Sequence, residues 1–199
     1  GLDSILSVVH FIFVLYLAII AQFIIQLIAL SVNGINPIVY MKKSLALLIL
    51  AFTSRSSVGC LPVTIETLTQ KLGVNQATAS FVAGFGTTAG MQGCAGIFPS
   101  LLIVYVCHLT GTAMDFSMIV MTIIVVTLGS LGIAGIPGTA TMAASVGLSG
   151  VGMASSFSLI GPILAIDPLI DMARTMLNVS GSVTNALIID KRLGNLDEN

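Results

Sequence analysis

Between Asp3 and Lys42 the chain carries no charged residue, and its apolar run from Ile5 to about Val32 exceeds the ~20 residues a helix needs to cross a ~30 Å hydrocarbon core. This run predicts one full transmembrane helix. After the Lys42-Lys43 pair comes SLALLILAFT, about ten apolar residues and too short to span, followed by SRSSVGCLP and the semi-polar VTIETLTQK. That pattern predicts a re-entrant helical hairpin with its tip at Ser54-Arg55-Ser56-Ser57. A second spanning stretch runs from roughly Gln76 to Leu109. Its interior, GFGTTAGMQGC, is dense enough in glycine to predict an unwound middle, since each glycine weakens a helix by ~1 kcal/mol relative to alanine. FSMIVMTIIVVTL again stops after about thirteen residues, at GSLGIAGIPG, and TATMAASVGL follows, which predicts a second re-entrant hairpin with Pro137 in its tip. The last unit, from about Ser156 to Ile189, reads as a polar transmembrane helix ending at Asp190-Lys191-Arg192.

Charge tests this topology. If both short segments return to the side they came from, Lys42, Lys43, Lys71, Lys191 and Arg192 share one face, and the opposite loops hold only Asp115. The positive-inside rule then puts those basic residues, and the C-terminus, in the cytoplasm. The predicted units are a transmembrane helix and loop (1–43), hairpin 1 (44–72), a broken helix (73–110), hairpin 2 (114–154), and a polar helix with a cytoplasmic tail (155–199). One hairpin enters from each side, so the expected fold is an all-α integral membrane protein with an inverted-topology repeat. In secondary transporters such repeats hold the substrate at the midplane.

Composition agrees with a membrane protein. The 199 residues are 56% hydrophobic and 8% charged, far below the roughly one quarter charged of a soluble domain. A formal net charge of -1 leaves no electrostatic surplus for nucleic acid. Cys60, Cys94 and Cys107 lack the spacing of a disulfide framework or zinc cage, and His10 and His108 have no partners at ligand spacing, so no resident cofactor is expected. The chain begins at Gly1 without a basic leader, which reads as part of a longer protein.

The polar residues of the last unit are the strongest chemical signal. On a helix, Asp167, Asp171, Arg174, Thr175, Asn178, Ser182 and Asn185 fall within roughly a 100° arc. Each charge at mid-helix costs ~2.5–3.5 kcal/mol on insertion scales, so the stripe implies mutual pairing, a water-filled cavity or a bound zwitterion. An Asp171–Arg174 salt bridge that only joins helices is the simpler alternative. The hairpin tips favour a site, because helices that break in mid-membrane leave backbone N–H and C=O groups available to a carboxylate and a cation.

At this point the sequence resembles the dicarboxylate/amino acid:cation symporters, the family that includes the glutamate transporters. SRSSVGCLPVT, GMQGC, GIAGIPG and DPLIDMARTMLNVSGS stand in the family's order and spacing, over essentially the whole chain. The resemblance implies the C-terminal half of such a transporter, without the upstream trimerisation scaffold. It implies a bacterial multi-pass protein of the cytoplasmic membrane, homotrimeric when complete, that moves its substrate by an elevator motion. It also implies substrate contacts from Arg55, Ser56, Ser57, Thr88, Gly135, Ile136, Pro137, Gly138, Asp171, Arg174, Thr175 and Asn178. Asp171 would hold the α-amino group, Arg174 a distal acidic group, and the tips the α-carboxylate. Cation ligands would come from Gly86, Thr88, Gly90, Met91, Gln92, Ser130, Leu131, Ile133, Asn178 and Ser182. Departures are informative: Gly90, Gln92 and Cys94 replace the family's usual Asn, Asp and Thr, and Ser182 replaces an acidic residue. With two carboxylates missing, the resemblance points to fewer sodium ions per cycle or to proton coupling. SRSSVG, AGMQGCAGIFPS and GIAGIPGTATMAAS look most like the bacterial L-cystine symporter subgroup. An acidic amino acid or C4-dicarboxylate is the alternative substrate, and a binding relative that does not transport is the alternative function. An intramembrane aspartyl protease does not fit, because Asp167 and Asp171 share one helix.

Overall fold

A computed structural model describes residues 2–196; the end of the predicted tail, 197–199, lies outside the described residues. Helix α1, Leu2–Val32, is predominantly apolar and buries Phe11, Leu15, Ile19, Gln26 and Leu30, a stripe at helical spacing. Its opposite face, including Phe13, Ile20, Ile24 and Ile28, is exposed, as suits lipid or further protein.

Helix α2, Pro37–Ser54, starts where the Asn36 side chain accepts from the amides of Ile38 and Val39 and Pro37 supplies a preset φ. It ends at Arg55, which is left-handed at φ 55° and donates its amide to the Ala51 carbonyl. This start differs from the sequence expectation. Lys42 and Lys43 lie inside the helix with their side chains exposed, so the helix has 18 residues rather than the apolar ten, and it is long and apolar enough to cross a membrane. Short α3, Leu61–Glu66, and a π turn at Thr67–Lys71 bring the chain back alongside α2.

Helix α4, Gln76–Gly86, is capped by the Asn75 side chain, and the Asn75 amide donates to the buried carboxylate of Asp190 at 2.9 Å. The helix stops at Gly86. After an irregular segment at 87–91 a π-helical piece, Gln92–Ile97, leads into α5, Phe98–Thr110. Helix α6, Phe116–Gly129, is capped by Asp115; a 3-10 turn (Ser130–Gly132) and an irregular tip separate it from α7, Ala140–Gly150, which packs against both α5 and α6.

The last unit also differs from expectation. A 3-10 segment, Ala154–Ile160, and α8, Gly161–Ala165, meet α9, Asp167–Arg192, at an 85° bend. The cause is local: Pro168 has no amide hydrogen to continue a helix arriving from α8. Asp167 therefore begins a helix instead of lying inside one. Helix α9 is buried around almost its whole circumference, packed by α1, α2, α4 and the π-helical piece. Among the described residues three helical stretches can each cross a membrane (Ile5–Val32, Pro37–Ser54 and Gln92–Thr110), and the bent pair at Ile166 adds a fourth if it is one span. The protein is an all-helical, multi-pass membrane protein.

Candidate functional site

The site is built on the first half of α9. Arg174 has no exposed surface, and its Nη2 donates to Asp167 and, at 3.2 Å, to Asp171 Oδ1. Its guanidinium carbon lies 3.9 Å from the centre of the Phe98 ring, a cation–π contact. These partners compensate the charge, since a buried guanidinium without counterions would not stay folded. They do not use all of its donors: Nε and Nη1 are buried with no acceptor. Each buried donor left unpaired costs about 1–3 kcal/mol, so a group that only joined helices would be expected to have them satisfied. Arg55, from the turn after α2, sets a second guanidinium above the same helix start, donating to the Pro168 carbonyl at 3.5 Å.

Asp171 Oδ1 is a meeting point. It also accepts from Thr175 Oγ1 and Cys94 Sγ, both at 3.4 Å. Two turns on from Asp171, Asn178 Oδ1 accepts the amides of Gly93 (2.7 Å) and Cys94 (3.4 Å), and its Nδ2 donates to Cys94 Sγ at 3.1 Å. Asn178 thus satisfies N–H groups that the break in the helix leaves open. Gly93 permits the approach, because a Cβ there would lie 2.7 Å from the Arg174 carbonyl oxygen.

Gly135 joins both tips to the break. Its amide donates to the Thr87 carbonyl at 2.8 Å; its carbonyl accepts from the Val58 amide (3.1 Å) and Ser56 Oγ (3.3 Å). Ser57 is buried beside it, with an Oγ that has no partner. Ile136, Pro137 and Gly138 are exposed at the outside of the tip.

Of the residues proposed for cations, Gly86, Gly90, Gln92, Asn178 and Ser182 line one cavity of about 270 Å³ between α4 and α9. The others do not line it. Thr88 is exposed and turned to its own Phe85 carbonyl, Ser130 Oγ donates to Thr127, Leu131 is exposed, and Met91 and Ile133 are buried with Cys94, Ala95 and Ala143. No cluster of three His, Cys, Asp or Glu exists among the described residues.

Sequence reasoning passed over Gln22 and Gln26 of α1. Their Nε2 groups donate to Gln92 Oε1 at 3.1 and 2.6 Å, and Gln26 also bonds the Leu177 carbonyl and accepts from Ser180, whose hydroxyl lies 2.6 Å from that of Tyr40. Two glutamines four apart in an otherwise apolar span were the available signal, because polar groups in hydrocarbon demand partners.

An all-helical membrane protein that gathers buried charges and broken helices at one place has the architecture of a transporter. The chain belongs to the sodium:dicarboxylate symporter family, which it matches over residues 1–192. The family is one of transporters, not enzymes. Over 198 residues, 99% of this chain, it is 42% identical to the L-cystine uptake protein TcyP of Bacillus cereus and 43% identical to that of Bacillus subtilis. The L-cystine uptake protein TcyP of Bacillus licheniformis is 42% identical over the same share. The chain spans 42% of the length of each of these relatives.

Proposed function

We propose that these residues form the substrate-binding half of a secondary symporter that imports an amino acid, L-cystine, together with a cation. The observation that carries the reading is Arg174: a fully buried guanidinium with two nitrogens that have no acceptor matches a ligand carboxylate. Asp171, reached by several donors, takes the ligand's α-amino group. The unpartnered Ser57 hydroxyl and the backbone of the two tips take the α-carboxylate. Cystine carries two amino acid heads, so it offers a second carboxylate to Arg174, and the names of the relatives favour it over an acidic amino acid or a C4-dicarboxylate.

The units at 44–72 and 114–154 act as re-entrant hairpins, the second being the outer gate. Lys42, Lys43, Lys71, Lys191 and Arg192, with the C-terminus, face the cytoplasm, and the complete protein is a trimer whose mobile parts carry the site across the membrane. Sodium or a proton is the co-transported ion. The cavity at Gly86, Gly90, Gln92, Asn178 and Ser182 offers neutral oxygens only, and Gln92 Oε1 is already engaged by two amide donors. Hard cations favour anionic oxygen, so this cavity supports fewer sodium ions than a carboxylate-lined one.

Counterflow of radiolabelled L-cystine in proteoliposomes of the full-length protein tests the reading, with aspartate and succinate as competitors. Saturable exchange displaced by unlabelled cystine is expected. Displacement by aspartate or succinate alone would reassign the substrate, and binding without counterflow would make the protein a receptor instead of a carrier.

A further inference from the structure

Two buried carboxylates share one guanidinium nitrogen: Asp167 Oδ1 and Asp171 Oδ1 both accept from Arg174 Nη2. Asp171 alone would neutralise Arg174, and a second carboxylate taken out of water is a cost that one guanidinium does not require. Asp167 uses only one oxygen for this contact, and its Oδ2 accepts no hydrogen bond among the described residues. Its side chain is also the more open of the two, 11% exposed against 6% for Asp171, so a ligand seated on Arg174 can reach it.

Spacing says what kind of ligand group suits it. Asp167 and Asp171 stand four residues apart on one face of α9, about 6 Å along its axis. Across a disulfide the two Cα atoms lie ~4.4–6.8 Å apart. The two carboxylates are therefore set out like the two amino acid heads of cystine, one for each ammonium. The charges match as well. With Arg55 above the helix start, the side chains Arg55, Asp167, Asp171 and Arg174 sum to zero, and so does cystine; aspartate would add one net negative charge and succinate two.

We propose that Asp167 binds the distal ammonium of cystine while Nε and Nη1 of Arg174, which have no acceptor, bind the carboxylate of the same head. Asp167 is then the residue that separates cystine from acidic amino acids and C4-dicarboxylates, which have nothing to offer it. The inference rests on the cystine reading given above and adds to it the group that recognises the second amino end.

Equilibrium binding of radiolabelled L-cystine to the purified full-length protein tests it, with unlabelled cystine or the mixed disulfide of L-cysteine and β-mercaptopropionate as competitor. The mixed disulfide keeps the distal carboxylate and lacks only the distal amino group. A hydrogen bond between charged groups is worth roughly 10- to 100-fold in affinity, and the parent protein should prefer cystine by that factor. In Asp167→Asn and in Asp167→Ser, either of which removes the charge, the two ligands should bind within about threefold of each other. The ratio of the two affinities isolates the ammonium contact, because a general disturbance of Arg174 weakens both ligands alike. Equal affinity of the parent for both ligands, or the parent's preference persisting in a neutral variant, overturns the role of Asp167 and leaves cystine as the substrate. Absence of saturable cystine binding to the parent overturns the proposed function, and this inference with it.

Discussion

Replacing Gly135 by alanine puts a methyl carbon 2.8 Å from Ser57 Cβ, 2.8 Å from the Thr87 carbonyl oxygen and 3.2 Å from Met91 Sδ. Two of those neighbours cannot yield cheaply, since one is backbone and the other is the root of a buried side chain. The tips must separate from the break, which endangers three hydrogen bonds: Gly135 to Thr87, Val58 to Gly135, and Ser56 to Gly135. At about 0.5–1.5 kcal/mol each, the joined arrangement loses about 1.5–4.5 kcal/mol, or roughly 10- to 2,000-fold in its population. If substrate is held only when the tips are joined, its affinity falls by the same factor. Equilibrium binding of radiolabelled cystine to the purified full-length variant measures this directly. Gly132→Ala serves as the control, because a Cβ there meets nothing within 4 Å and the residue belongs to the same tip. Affinity within twofold of the parent for G135A, with the protein folded, would refute the claim that joining at Gly135 underlies binding.

Further expectations follow from the same geometry. Arg174→Ala should abolish binding of cystine while sparing some neutral amino acids; Arg174→Lys should not restore it, because an ammonium does not reproduce the planar fork. Unchanged cystine affinity in either variant would remove Arg174 from the site. Gly93→Ala should lower the unfolding temperature and the yield of folded protein, because its Cβ would lie 2.7 Å from the Arg174 carbonyl oxygen and 2.9 Å from its Cα. A melting curve like the parent's would show that the break and α9 can part without penalty. Transport measured against imposed sodium and proton gradients should give fewer than three sodium ions per substrate, and a ratio of three would mean that Gln92 and Ser182 do not limit the cation sites. Gln26→Ala should destabilise the protein by about 1–3 kcal/mol in a denaturant titration, since it strands acceptors on Gln92 and Leu177.

Much of the helical order was legible because hydrocarbon imposes so strict a rule on sequence. The uncharged run that became α1, the glycines at the broken helix and the stripe on α9 each answer to one local constraint. Positions that depend on two elements at once were harder to read. Lys42 and Lys43 looked like the boundary of an apolar segment, yet lysine is a good helix former and both side chains reach outward, so α2 begins earlier, at the Asn36 cap. The bend at Ile166 was signalled by Pro168 but lost within an amphipathic pattern that continues past it. Phe98 against Arg174, and Gly135 against Thr87, join residues distant in sequence, and no periodicity encodes such pairs. Of the expected cation ligands, Gly86, Gly90, Gln92, Asn178 and Ser182 share a cavity, whereas Leu131 and Thr88 face outward and Met91 and Ile133 are buried elsewhere.

The carboxylate of Asp190 gives the molecule a further property. It holds the N-cap of α4 from the last turn of α9, while Asn178 holds the restart of the same interrupted helix about three turns back along α9. An interrupted helix is ordinarily a weak rod, free to flex at its gap. Here both of its pieces are moored to one continuous shaft, so the gap can expose its backbone without becoming a joint. The halves should therefore travel with α9 as one stiff body, and amide exchange in α4 and the π-helical piece should slow together with that of α9.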